Sequence, residues 1–168
     1  MTYLEIDKAL VDLTRQICEE CKKRLDATPK EKRTERKALQ VEYGMYTFCG
    51  NAGLFFNTVG ERKLVQIRRR FWEREQQKYP HLKLVYQGLD DEKKMCFIAA
   101  LQAEWYIRYY WFGAQKNELA AAEACGDTQK VFEFKIKVGS VERMFAVWEA
   151  WRRENGMYPN MFQEGKND

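Results

Sequence analysis

One serine (Ser140), one histidine (His81) and three prolines are found in 168 residues. Each scarcity counts against a class of function. A hydroxyl or thiol nucleophile needs a base beside it, and here Ser140 reads as a helix cap while His81, directly after Pro80, reads as a loop residue. No glycine-rich loop of either phosphate-binding spacing is present. No stretch approaches the roughly 20 uninterrupted apolar residues that a membrane span needs. The opening Met-Thr-Tyr-Leu-Glu-Ile-Asp has neither a basic region nor an apolar signal core. Five cysteines at irregular spacing (Cys18, Cys21, Cys49, Cys96, Cys125) do not make a secreted disulfide framework, and reduced thiols packed as small apolar residues are expected. These absences together predict a cytoplasmic, non-enzymatic protein without a cofactor, without a metal and without membrane association.

The residues that are abundant are apolar and helix-forming. Hydrophobic residues make up 45% of the chain and aromatics 14%, enough for a packed core and too much for disorder. Thr2-Tyr3-Leu4-Glu5, Thr28-Pro29-Lys30-Glu31 and Thr58-Val59-Gly60-Glu61 each fit the capping box, in which Thr and Glu satisfy each other's orphan backbone donors. Ile6, Leu10, Leu13, Ile17, Cys21 and Leu25 form one apolar stripe and predict a helix from about residue 3 to 27. A second helix is expected over about 29–48, with Gly50 and Gly53 as breakers, and a third over about 59–79, stopped by Pro80. Residues 82–87 alternate weakly and suggest an extended connection.

Asp90 or Asp91 then caps a long helix in which Met95, Ile98, Leu101, Trp105, Tyr109 and Phe112 keep helical spacing. Most of its other sides are apolar too, which is the mark of a central helix. Gly113 and Gly126 bracket an Ala-rich stretch, Asp127 is expected to start a short element through Phe134 although residues 131–136 also alternate like a strand, and Ser140 is expected to cap a last helix ending near Asn155-Gly156. The predicted fold is an all-α, single-domain bundle of about five to six helices around a central aromatic-rich helix, with a short strand-like segment near 82–87 or 131–136. The domain covers residues 1–159 and a C-terminal tail covers 160–168.

Two patterns invite stronger readings. Residues 59–80 and 138–159 align without gaps and share Trp72/Trp151, Arg74/Arg153, Glu75/Glu154, Tyr79/Tyr158 and Pro80/Pro159. Either a duplicated unit or a common Tyr-Pro helix exit accounts for them. Cys18-Glu19-Glu20-Cys21 has the gap of a zinc half-site, but no second close pair completes it and the helical stripe already claims Cys21 for the core.

Charge is the most informative pattern. Between Lys22 and Lys78 there are 15 basic and 7 acidic residues, against 14 basic and 18 acidic in the rest of the chain. Arg62, Lys63, Arg68, Arg69, Arg70 and Arg74 cluster on the third helix, while Lys30, Lys32, Arg33, Arg36 and Lys37 flank the first turn between helices. Cations gathered in this way neutralise backbone phosphates, and Phe71 and Trp72 among them suggest stacking. The predicted partner is nucleic acid or a nucleoprotein complex, engaged through a basic helical face. An acidic protein surface is the alternative, as for an inhibitor or adaptor such as a virus-encoded antagonist of a host defence complex. A third expectation is a small-ligand pocket around Glu104, Trp105 and Arg108, where a four-apart ion pair sits among aromatics.

Overall fold

In the computed structural model, which describes residues 1–156 and for 52–58 the backbone alone, the chain is all-α. The helices are α1 (Tyr3–Ala27), α2 (Arg33–Thr58), α3 (Glu61–Glu75), α4 (Pro80–Gln87), α5 (Asp91–Trp105), α6 (Gly113–Cys125) and α7 (Thr128–Glu154). A short 3-10 turn, Gln76–Lys78, extends α3, and a π-helical segment, Tyr106–Phe112, joins α5 to α6. The backbone stays in the helical region at Trp105, Tyr106, Phe112 and Gly113, so α5, the π segment and α6 form one rod. Six helical rods therefore make the bundle among the described residues, and neither candidate strand survives there. Residues 82–87 lie in α4, and residues 131–136 lie in α7. The expected tail, 160–168, lies outside the described residues.

The first capping box forms as its sequence requires: Glu5 N–H donates to Thr2 Oγ1 at 3.4 Å and Thr2 N–H donates to the Glu5 carboxylate at 2.5 Å. The second does not. Thr28 ends α1, its hydroxyl donating to the Arg24 carbonyl at 2.7 Å, and α2 begins only at Arg33. Arg36 completes this C-terminal cap by donating to the carbonyls of Leu25 (2.9 Å) and Thr28 (2.6 Å), which supplies partners for acceptors the helix leaves open. At the third candidate the cap is Gly60, with no side-chain bond. Gly50 and Gly53 do not break α2, which runs through both to Thr58.

Helix α2 returns antiparallel along α1, and Glu42 locks the pair to α7. Its carboxylate, almost wholly buried, accepts from Arg24 of α1 (2.6 Å), from Arg143 of α7 (3.0 Å) and from the Tyr46 hydroxyl (3.0 Å). Pro80 does end the run of α3, and it also opens α4, where a missing N–H costs nothing. Leu82, Tyr86 and Leu89 then repeat at helical spacing and pack in one cluster with Phe71, Trp72 and Phe97. That inward set is why 80–87 is helix.

The central helix is where the sequence puts it. Helix α5 gives Ala99 and Ala103, with Ile107 and Trp111 of the π segment, to a cluster with Ile6, Leu10, Met45, Met144 and Trp148. On its other side it gives Phe97, Ile98 and Leu101 to the cluster with α3 and α4. Ser140 caps nothing, since α7 runs unbroken through it and its hydroxyl donates to the Ile136 carbonyl at 2.7 Å. The aligned segments 59–80 and 138–159 are therefore not equivalent units. Gly60 precedes a helix, whereas Gly139 lies inside one, and Tyr158 and Pro159 fall outside the described residues.

Candidate nucleic-acid interface

The basic residues that form one region in sequence occupy two places. Helix α2 has 26 residues, roughly 39 Å at about 1.5 Å each, and carries the chain from the far end of α1 back to its start. There α3 begins, with the Tyr3 hydroxyl donating to Glu61 at 2.8 Å. Lys30, Lys32, Arg33 and Lys37 are exposed at the far end of the α1–α2 hairpin. Arg36 is half-buried there and committed to the α1 cap.

On α3, Arg62, Lys63, Arg69, Arg70 and Arg74 are exposed, and Lys78 continues them. Arg68 is not among them. It is 1% exposed, pairs with the buried Asp7 carboxylate through Nη2, approaches the Gln102 amide oxygen at 3.4 Å and lies 5.5 Å from the Tyr3 ring centre. Arg68 is a core residue whose charge fastens α3 to α1, because the helical phase of Leu64, Arg68, Phe71 and Trp72 turns it inward. Burial pushes the Asp7 carboxyl above its ordinary range, while the Arg68 guanidinium pulls the other way.

Arg74 marks where the basic row meets exposed aromatic surface. Its guanidinium lies 5.7 Å from the Phe71 ring centre and 5.9 Å from that of Trp105. Around Trp105 stand Tyr106 (5.3 Å), Tyr109 (6.1 Å) and Tyr110 (6.5 Å), and Tyr106 and Tyr110 are 5.5 Å apart. Tyr109 and Tyr110 are 53% and 56% exposed, although their helix is the central one. A π segment holds more residues per turn than an α-helix, and such segments are frequent at functional sites. Here it sets Ile107 and Trp111 into the core while Tyr109 and Tyr110 face out and Tyr106 is half-buried. The run Trp-Tyr-Ile-Arg-Tyr-Tyr-Trp-Phe holds this signal, but its uniform hydropathy conceals which rings point outward.

Glu104, Trp105 and Arg108 have different surroundings. Glu104 is completely buried, with Nε of the partly exposed Arg108 3.6 Å away. Trp105 belongs to the face beside α3. Arg108 instead lies 4.7 Å from the Phe145 ring centre and lines a cavity of about 390 Å³ against α7, together with Ile107, Tyr109, Phe112, Glu142 and Phe145.

The cysteine pair is divided. Cys21 is buried with its thiol donating to the Leu39 carbonyl (3.6 Å), whereas Cys18 faces the Thr47 hydroxyl (3.7 Å). Among the described residues, no three His, Cys, Asp or Glu side chains are grouped to hold a metal, and no helix is long and apolar enough to cross a membrane. The basic–aromatic face sets exposed cations beside the exposed Tyr109 and Tyr110, with Arg74 and Lys78 both paired to the buried Glu75 carboxylate (2.9 and 3.2 Å). The chain matches no family model, no curated protein and no solved structure.

Proposed function

We propose that the protein binds nucleic acid, by occupancy and not turnover, at the face formed by α3 and the π segment, with flexible single strands as the preferred form. The observation that carries this is the seat of Arg74 over Phe71 and Trp105, which joins the exposed row Arg70, Arg74 and Lys78 to Tyr106, Tyr109 and Tyr110. Cations along a groove hold phosphates, and open aromatic faces hold unstacked bases regardless of sequence. Five free cysteines support a reducing, cytoplasmic setting.

Fluorescence anisotropy with a labelled single strand of about 12 nucleotides tests the proposal at a length within the usual site size. Arg70→Glu and Tyr110→Ala both alter exposed side chains, so the fold should persist. Each is expected to weaken binding about tenfold, the scale of one lost phosphate contact or stacked base. Wild-type affinity unchanged in both folded variants would reject the interface.

A protein partner is favoured by a different observation. Leu84 and Val85 of α4 are 72% and 41% exposed, an apolar pair that single strands do not need. Pull-down with and without nuclease separates the two. A stoichiometric partner that survives nuclease and is lost in Leu84→Asp would favour an inhibitor or adaptor acting through α4.

A further inference from the structure

The geometry points to the cavity between the π segment and α7 as a site for one guanine base of the bound strand, which rests on the single-strand binding proposed above. Its volume, about 390 Å³, lies within the range of small-molecule sites and exceeds what a nucleobase fills. Tyr109 belongs to both places. It lines this cavity and also packs 6.1 Å from Trp105 in the exposed aromatic face. A strand lying on that face is therefore one residue away from the cavity mouth, and a base turned out of the stack has a place to go.

The lining selects among bases. Phe112 and Phe145 supply apolar walls, and Arg108 lies close enough to Phe145 (4.7 Å) to extend that wall as a planar cation. Glu104 backs Arg108 from the core at 3.6 Å, which fixes where the guanidinium sits without placing Glu104 in the cavity. Glu142 stands three residues before Phe145 on α7, on the same side of that helix, and adds an acceptor-only carboxylate. Of the two charged lining groups, one thus donates only and the other accepts only. Guanine answers both: O6 and N7 are adjacent acceptors for an arginine, while N1–H and the N2 amino group are adjacent donors for a carboxylate. Adenine lacks the paired donors. Cytosine and thymine lack the O6–N7 pair.

The test compares two labelled single strands of about 12 nucleotides, oligothymidylate and the same strand with one central guanine, within the usual site size. The guanine strand should bind about tenfold tighter, the scale of one paired base edge. Glu142→Ala, an exposed helical position, should erase that preference and leave oligothymidylate affinity unchanged. Equal affinity of wild type for both strands would overturn the guanine site while leaving the basic–aromatic interface standing. So would a preference that persists in Glu142→Ala. Failure of both strands to bind would overturn the interface and the guanine site together.

Discussion

Removing the Arg68 side chain strands the Asp7 carboxylate in the interior, where the two groups are 1% and 6% exposed. A buried charge left without its partner typically costs about 3–5 kcal/mol, so Arg68→Met should lower stability by that amount in chemical denaturation. The loss should shrink as pH falls, because Asp7 then takes a proton that burial already favours. Asp7→Leu combined with Arg68→Met should cost much less than the two single changes added together. Arg69→Ala and Arg70→Ala, on the exposed side of the same helix, should stay within about 0.5 kcal/mol of wild type. Equal effects at 68, 69 and 70 would refute the inward placement of Arg68. The alkaline limb has its own residues. Burial pushes Cys49 from 9.0 to about 12 and Tyr46 from 10.0 to about 12. Both folded pKa values are raised, so the stability these groups contribute is complete below 9.0 and is lost as pH rises towards about 12. Melting temperature should therefore fall steadily over that window, and Cys49→Ala should flatten its lower part. An identical slope in the variant would mean that folding does not raise the Cys49 pKa.

Glycine at the element scale acts oppositely in two helices. Gly50 lies inside α2, where an added Cβ would meet only Thr14 Cγ2 at 3.6 Å, an ordinary contact. Gly50→Ala should consequently stabilise the protein by about 0.5–1 kcal/mol, the helical preference of Ala over Gly. Gly126 has φ +71°, and around it Asp127 N–H bonds the Ala122 carbonyl (3.1 Å) before the Asp127 carboxylate caps α7 (3.0 Å). Gly126→Ala should cost about 1 kcal/mol, since a Cβ disfavours the left-handed region. Thermal melts of the two variants should move in opposite directions, and a shift of the same sign would contradict one of these placements. The pair also shows how far elements are legible in sequence. Gly126 followed by Asp127 is a helix stop and start that local chemistry alone enforces. Gly50 looks equally like a stop, yet packing of α2 on α1 carries the helix through it. In α4 the weak alternation of 82–87 competes with the helical set Leu82, Tyr86 and Leu89, and tertiary burial against Trp72 and Phe97 decides for helix. Ser140 has the neighbours of a cap, but the helix that Asp127 starts runs through it to Glu154.

Charge on the whole molecule is arranged by the path of α2, which no local pattern records. Lys30, Lys32, Arg33 and Lys37 stand at one end of the α1–α2 hairpin, and the α3 row stands at the other, beside the tyrosines. The abundance of cations is legible from composition, and the shared outward face of Arg62, Lys63, Arg69 and Arg70 from helical phase. Their division from the hairpin patch is not, nor are Tyr106, Tyr109 and Tyr110, because a residue's side on a π segment departs from the 3.6-residue period. This separation sets a length dependence. A strand of about 6 nucleotides, near the short end of known site sizes, should lie on the α3 face alone. With Arg70, Arg74 and Lys78 each holding a phosphate, its affinity should fall with salt at a log–log slope of about −2. A strand of about 20 nucleotides reaches the hairpin end as well, and the four further cations should steepen the slope to about −5. Replacing Lys30, Lys32, Arg33 and Lys37 with Gln should return the long strand to the shallow slope and leave the short one unchanged. All four side chains are exposed, so the variant should melt as wild type does. A slope that is flat in salt would remove phosphates from the contact altogether. Equal slopes for both lengths in wild type would confine binding to the α3 face and leave the hairpin cations as a solvated surface.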